Sequence, residues 1–242
     1  MKKIAHAFTM AWGMFCIIPC PFRKWDEKAR DWMLVFFPVI GLLLGALWML
    51  LGRLPSSALT AAVLTAFPFL FSGFLHLDGF MDCCDAIFSR RDAETKRKIL
   101  KDSRVGAFAV VGVVLLVLLQ FAAFLQCGDR RALLLLPVCS RCAAGFAVTA
   151  ITPMEGSQYA GSFAESKKTA PTAILLLMLA AVLAIGWFLP DGAALCLGVC
   201  ALITVSAASF AGRQLGGMSG DVSGFALTLG ELAGVICLAL LP

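Results

Sequence analysis

The chain has 242 residues, of which 60% are hydrophobic and only 14% charged, with a formal net charge of +5. A soluble domain carries about a quarter of its residues charged, so this composition excludes an ordinary water-soluble globule and points to a protein embedded in a bilayer. The positive balance speaks first to membrane orientation rather than to nucleic acid, and the longest polar stretch, residues 76–104, is too short for a separate soluble domain.

Lys2 and Lys3 precede an apolar stretch from Ile4 to Ile18. The outline is that of a signal peptide, but no small-x-small cleavage site follows, and Pro19, Cys20 and Pro21 come next. A retained short helix in or on the membrane is the expectation. A polar linker then runs from Pro19 to Asp31. Spans are predicted over about Met33–Leu51, Ser57–Leu75, Val105–Gln126, Ala132–Ile151, Ala170–Leu189, Ala193–Phe210 and Phe225–Leu241. Pro38 and Pro68 fall inside the first two, where other groups of a bundle must take up the freed backbone. The pattern predicts an all-α, polytopic integral membrane helical bundle: about seven transmembrane helices plus the short N-terminal membrane-associated helix. Residues 1–242 are expected to form a single membrane-embedded catalytic domain with cytoplasmic loops at 76–104, 152–169 and 211–224.

Orientation follows from the basic residues. With the 76–104 segment in the cytoplasm, that side collects Lys2, Lys3, Arg23, Lys24, Lys28, Arg30, Arg90, Arg91, Lys96, Arg97, Lys98, Lys101, Arg104, Lys167, Lys168 and Arg213. The far side keeps Arg53, Arg130 and Arg131, and Arg141 lies within a span. Sixteen against three is a strong positive-inside bias. It gathers three polar loops at one face, which is how a membrane enzyme builds a site there.

The chemistry concentrates in His76-Leu77-Asp78-Gly79-Phe80-Met81-Asp82-Cys83-Cys84-Asp85. In a helix, steps of four and three put Asp78, Asp82 and Asp85 on one face. Three carboxylates on a face repel one another unless a cation joins them. Oxygen-only donors suit a hard ion, Mg²⁺ or Mn²⁺; a solvated acidic turn is the plainer alternative. Residues 90–104 read as a short amphipathic basic helix at the interface. Arg91, Lys96, Lys98 or Arg104 would neutralise the outer oxygens of a metal-bound pyrophosphate, or the basics set topology alone. A second stretch, Gly216-Gly217-Met218-Ser219-Gly220-Asp221-Val222-Ser223-Gly224, offers backbone N–H groups for an anion and Asp221 for the metal, or else a flexible loop or close helix packing. It lacks the lysine of a P-loop. Glu155-Gly156 is a weaker signal. His76 is either a general base, a phosphate donor or a residue fixing the loop. Arg141 and Glu231 are either functional or a structural ion pair. The two histidines, His6 and His76, are too few for an imidazole zinc site, and the Cys139-x-x-Cys142 pair lies in a span without a partner pair. A transporter of divalent cations or small solutes, with Arg141 and Glu231 along its path, is the reading from another class.

Phe71-Ser72-Gly73-Phe74-Leu75-His76-Leu77-Asp78-Gly79-Phe80-Met81-Asp82-Cys83-Cys84-Asp85 strongly resembles the cobalamin-5'-phosphate synthase family, also called adenosylcobinamide-GDP ribazoletransferase. Lys101-Asp102-Ser103-Arg104-Val105-Gly106 and Gly216-Gly217-x-x-Gly220-Asp221-x-x-Gly224, followed by Glu231, are similar to its other signatures. Gly41-Leu42-Leu43-Leu44-Gly45 after Phe37-Pro38, and Glu155-Gly156, also fit, so the resemblance covers nearly the whole chain. Ala86 stands where the family usually has glycine after its third acid. The resemblance implies a multi-pass enzyme of the bacterial inner membrane with its site facing the cytoplasm. It implies transfer of the adenosylcobinamide-phosphate moiety from adenosylcobinamide-GDP to α-ribazole or its 5'-phosphate, releasing GMP, with Mg²⁺. On this reading Asp78, Asp82, Asp85 and Asp221 hold the metal, and His76, Asp82, Asp102 and Arg104 serve catalysis. Arg91, Lys98, Glu155, Gly216, Gly217 and Gly220 bind substrate, and the ribazole 5'-hydroxyl attacks. The partners are these two substrates and the lipid bilayer, with no nucleic acid; a homo-oligomer is compatible. CDP-alcohol phosphotransferases perform analogous chemistry, but their Asp-x-x-Asp-Gly order is not reproduced here.

Overall fold

The structure is a computed structural model that describes residues 2–20, 25–128, 130–155, 169–189 and 192–241. Arg23, Lys24, Lys167 and Lys168, and residues 156–168 of the predicted 152–169 loop, lie outside the described residues. The described secondary structure is helical: α1 (Lys2–Phe15), α2 (Arg30–Leu51), α3 (Ala58–Phe71), α4 (Leu75–Phe88), α5 (Ala93–Leu100), α6 (Ala107–Gln126), α7 (Leu136–Ala150), α8 (Thr169–Trp187), α9 (Ala193–Leu215) and α10 (Gly220–Leu240). Two 3₁₀ turns, Glu27–Ala29 and Arg131–Leu134, precede α2 and α7. One isolated parallel bridge joins Pro153 to Met218.

Five stretches are long and apolar enough to cross a membrane: Glu27–Leu51, α6, α8, α9 and α10. The count rises to six if α3 and α4 are taken as one bent span. The seven predicted spans are therefore not all straight, full-length helices. The second ends early because Gly73 and Phe74 both take left-handed backbone, and α4 leaves α3 at 91°. The fourth is the 15-residue α7, about 22 Å long against a hydrocarbon core of roughly 30 Å. Pro137 sits at its first turn, where a missing N–H costs nothing. The loops shrink correspondingly. Residues 75–88 are α4, and only Gly216 to Ser219 separate α9 from α10. The basic helix is confined to α5, capped by Asp92, which accepts from the Thr95 amide at 2.9 Å.

α10 is the most enclosed of the five candidate spans and α8 the least. α10 packs against α9, α4, α6 and α7, while α2 packs against α1 and α7. Leu and Val on the outer faces of α6 and α8 are exposed, as lipid-facing side chains should be. Lipid is as apolar as leucine, so close van der Waals packing and internal hydrogen bonds hold such helices together. Trp48 illustrates this. Pro68 has no N–H to give to the Leu64 carbonyl one turn back, and the Trp48 indole N–H donates to that oxygen at 2.8 Å.

Arg141 and Glu231 are buried partners. Arg141 Nη1 lies 2.6 Å from Glu231 Oε1, which also accepts from Ser140 Oγ at 2.8 Å. The guanidinium donates to the Pro137 carbonyl at 3.1 Å and sits 5.4 Å from the Phe37 ring centre. This pair fastens α7 to α10, and both side chains are buried. Truncating one partner strands the other charge. Arg141→Leu is expected to lower the unfolding free energy by roughly 3–5 kcal/mol, and adding Glu231→Leu should recover most of that loss. Thermal unfolding of the full chain in detergent measures both; equal melting of Arg141→Leu and the parent would refute a structural role for the pair.

Candidate active site

The left-handed Gly73-Phe74 corner starts α4 at Leu75, so the acid stretch is helical. Its carboxylates take the predicted common face. Asp78 is exposed, and Asp82 and Asp85 are half-buried. α10 crosses α4 at backbone contact. A Cβ on Gly79 would sit 2.8 Å from the Asp221 Cα, and one on Gly224 would sit 3.0 Å from the His76 carbonyl oxygen. Phe80 stacks on Phe225 beside this crossing, with ring centres 5.6 Å apart. Ser219 caps α10 by accepting from the Val222 amide at 3.2 Å, which leaves Asp221 in the first turn, next to the α4 acids.

The result is a concentrated negative charge. Asp82 lies within electrostatic reach of Asp78, Asp221 and Asp85. Among the described residues no Lys, Arg or His side chain forms an ion pair with Asp78, Asp82 or Asp221. Nor does any group of three His, Cys, Asp or Glu among them converge closely enough to hold a metal ion as the side chains stand. Asp85 is partly committed elsewhere. Its two oxygens accept from the Gly106 amide at 2.6 Å and the Ala109 amide at 3.1 Å, capping α6 from outside.

His76 is buried between Phe15, whose ring is stacked at 6.1 Å, and Phe37 at 5.7 Å. With Asp78, Gly220, Asp221 and Ser223 it lines a cavity of about 220 Å³, closed by Met14, Phe15, Phe37 and Leu75. Ser223 was only part of a glycine-rich string in the sequence. Met14 and Phe15 carried no signal, being apolar residues in an apolar run, and Phe37 entered only as part of the family resemblance.

The remaining candidates lie apart. Asp102 and Arg104 pair with each other at 2.6 Å on the connection leading into α6. Hydrogen bonds from the Arg104 guanidinium and amide hold the Asp102 carboxyl down at about 2. Lys98 pairs with Glu94 at 2.8 Å on the exposed face of α5, and Arg91 is exposed before it. The inner face of α5 belongs to other residues. Buried Lys96 donates to Gln214 at 2.6 Å, and Arg97 comes within 4.0 Å of Glu155. Gly217, at φ +143°, lets residues 152–154 pair with the α9–α10 corner. The Met154 amide donates to the Met218 carbonyl at 2.9 Å and the Met218 amide to the Thr152 carbonyl at 2.8 Å. Gly216, Gly217 and Arg213 line an open groove beside this bridge. The structure thus gathers His76, Asp78, Asp82, Gly220 and Asp221, with Asp85 adjoining. It places Glu155, Gly216 and Gly217 in a second, neighbouring feature, and leaves Arg91 and Lys98 on the surface.

A helical bundle with five membrane-length helices, organised around an acidic centre where two helices cross, defines a polytopic membrane protein with a carboxylate-built site. The family model described as cobalamin-5-phosphate synthase matches residues 7–239, and the chain belongs to that family. An adenosylcobinamide-GDP ribazoletransferase of Clostridium perfringens (strain 13 / Type A) is 38% identical over 259 residues, covering 100% of both chains. One of Clostridium botulinum (strain Alaska E43 / Type E3) is 40% identical over 247 residues and 97% of both. A third, of Lachnoclostridium phytofermentans, is 28% identical over 95% of this chain and 92% of the relative. No solved structure matches the chain.

The two halves of the acid face separate by experiment. Asp85→Ala removes the α6 cap and should cost about 1 kcal/mol of stability. Asp82→Asn removes a like charge from a crowded group and should leave stability equal or higher. Melting curves of both variants in the same detergent check this; a drop for Asp82→Asn as large as that for Asp85→Ala would show that Asp82 is structural.

Proposed function

We propose that this chain is an adenosylcobinamide-GDP ribazoletransferase: it joins adenosylcobinamide-GDP to α-ribazole or α-ribazole 5'-phosphate and releases GMP. Family membership and full-length similarity to proteins of that name support the reading. The observation that carries it is the meeting of Asp221 with the α4 acids across the Gly79 contact. Phosphoryl transfer needs little covalent help from a protein; it needs positioning and charge control around phosphate oxygens.

In the reaction a ribose hydroxyl of the acceptor forms a new bond to the phosphorus on the corrinoid side. The bridging P–O bond of the diphosphate breaks, and GMP leaves with the electron pair. The 5'-hydroxyl expected above cannot be the attacking group when the acceptor is the 5'-phosphate, because that oxygen already carries phosphorus. Another ribose hydroxyl must serve for both acceptors. Asp78 or Asp221, which share the cavity wall, takes the proton. Arg104 is exposed and can leave Asp102 to neutralise the departing GMP.

Mg²⁺ is the proposed cofactor. The donor set fits it: the unpaired carboxylates are hard oxygens, and Mg²⁺ is usually held by one or two carboxylates together with waters and substrate phosphates. Asp82 and one of Asp78 and Asp221 would hold it, the other being left as the base, with the free lone pairs of Asp85 adjoining. When bound, the ion supplies charge neutralisation on the diphosphate oxygens. The open groove at Gly216 and Gly217, with Arg97 beside Gly216, is the proposed seat of the guanylate half, and Glu155 stands at its edge. Arg91 and Lys98 contribute to attraction of the anionic donor and to topology.

The topology proposed is seven crossings in the bacterial inner membrane with the site facing the cytoplasm. The bias of basic residues supports it. Cys83 and Cys84 are buried, so sidedness is better read from a single cysteine introduced at exposed Lys98.

Proteoliposomes given GDP-activated corrinoid and α-ribazole, with and without Mg²⁺, test the activity by GMP release. Asp82→Asn should lower the rate by about a hundredfold or more, the scale lost with one charge-stabilising group, while the protein stays inserted. Full activity in that variant would remove Asp82 from the mechanism.

A further inference from the structure

The cavity beside the acids has two unlike halves. Met14 and Phe15 of α1, Phe37 of α2 and Leu75 of α4 make one half apolar; Asp78, Asp221 and Ser223 make the other polar. His76 stands between them. Neither of its ring nitrogens has a hydrogen-bond partner among the described residues, and Nε2 is wholly enclosed. Nδ1 is therefore the nitrogen that a guest in the cavity can reach. A guest that covered Nδ1 without bonding to it would leave that nitrogen buried and unsatisfied, at about 1–3 kcal/mol, so this arrangement suits a guest that brings one hydrogen-bonding atom.

At about 220 Å³ the cavity is smaller than the ~300–1,000 Å³ of pockets that enclose whole ligands. It admits one fragment of a substrate. A corrin ring or a complete nucleotide is too large. Its aromatic walls are Phe15 and Phe37, whose rings pack on each other with centres 4.2 Å apart and lie against His76. Such walls favour an aromatic ring system.

We infer that this cavity is the seat of the acceptor's aromatic base, a fused benzimidazole-type bicycle, with His76 Nδ1 hydrogen-bonded to its one unsubstituted ring nitrogen. The inference rests on the transferase reading above. Guanine, the other base in the reaction, carries donors and acceptors along its whole edge. It would leave most of them facing Met14, Phe37 and Leu75, each at the cost just given. The benzimidazole-type base has a single such atom. The orientation also follows: with the base among the apolar residues, the attached ribose points toward Asp78 and Asp221, where its hydroxyl must be activated. The N-terminal helix is then a wall of the site, because α1 supplies both Met14 and Phe15.

The test uses the full chain in proteoliposomes and measures KM separately for acceptor and GDP-activated donor. GMP release by the parent chain tests the transferase reading; the ratio of KM values tests the cavity. His76→Gln and Phe15→Ala should each raise the acceptor KM roughly tenfold to a hundredfold with the donor KM unchanged. An acceptor whose ring nitrogen is replaced by C–H should lose the same factor with the parent chain and nothing further with His76→Gln, since the two changes remove one bond. Equilibrium dialysis of α-ribazole alone, with metal chelated, reads the same contact without turnover. It also serves for Phe15→Ala if that variant packs poorly, with Met14→Trp, which fills the cavity, as its replacement. A rise in donor KM instead would assign the cavity to guanine. A fall in kcat alone for His76→Gln would make His76 a catalytic group and not a base-binding one. Either result overturns the inference, as does an acceptor KM unchanged in both variants.

Discussion

Everything at the acidic centre depends on two helix backbones touching. α4 and α10 approach so closely that a side-chain carbon has no room at Gly79 and would be tight against the His76 backbone at Gly224. In a bilayer this is the economical way to join helices, because packing replaces the missing hydrophobic drive. Here it has a chemical consequence. Contact at Gly79 sets the Asp221 backbone beside the α4 acids, so residues some 140 positions apart share one patch of charge. Phe80 on Phe225 and the Ser219 cap hold the register of that crossing. A substituent at Gly79 would force the helices apart and dissolve the site without altering any acid.

The packing that fixes the crossing also stores an electrostatic imbalance. Carboxylates without cations are costly near low-dielectric surroundings, yet the basic residues nearest in sequence do not answer them. Lys96 donates to Gln214, Lys98 pairs with Glu94 and Arg104 pairs with Asp102. Deeper in the bundle the opposite rule holds, and charge is matched internally, as Arg141 and Glu231 show. Arg130, on the connection ahead of α7, is held instead by neutral groups, donating to the Gly52 and Leu54 carbonyls and to Ser56. The contrast separates structural charge from charge kept open for a ligand.

Much of this was legible in the sequence, and the limits have physical causes. The spacing of Asp78, Asp82 and Asp85 fixed their common helical face, since four- and three-residue steps permit only that. Hydropathy located α2, α6, α8, α9 and α10 to within a few residues at most of their ends. It misjudged α3 because two left-handed residues, Gly73 and Phe74, turn the chain without any drop in hydrophobicity. It extended the polar loops too far because Gly220, Asp221 and Ser223 are polar or small yet lie in the first turn of α10. It could not reveal that Asp85 caps α6, because that hydrogen bond links residues 21 apart. Nor could it place Met14, Phe15 and Phe37 at the site, because apolar residues announce burial and not the identity of what they are buried against.

The position of the acids bears on how such a reaction fits a membrane protein. Both substrates are large and polar, and neither can cross the apolar interior to a site at mid-depth. A centre with Asp78 in the first turn of α4 and Asp221 in the first turn of α10 stays open to solvent, since Asp78 is exposed and Asp82 and Asp85 are half-buried. The bundle then acts as a rigid mount: α10, enclosed on most sides, holds one half of the site, and α4, set across it, holds the other. α1 closes the remaining side. Its last turn is tied down by Ile17, whose amide donates to the Phe71 carbonyl at 2.9 Å, the last residue of α3. That bond fixes the cavity wall against the corner from which α4 departs.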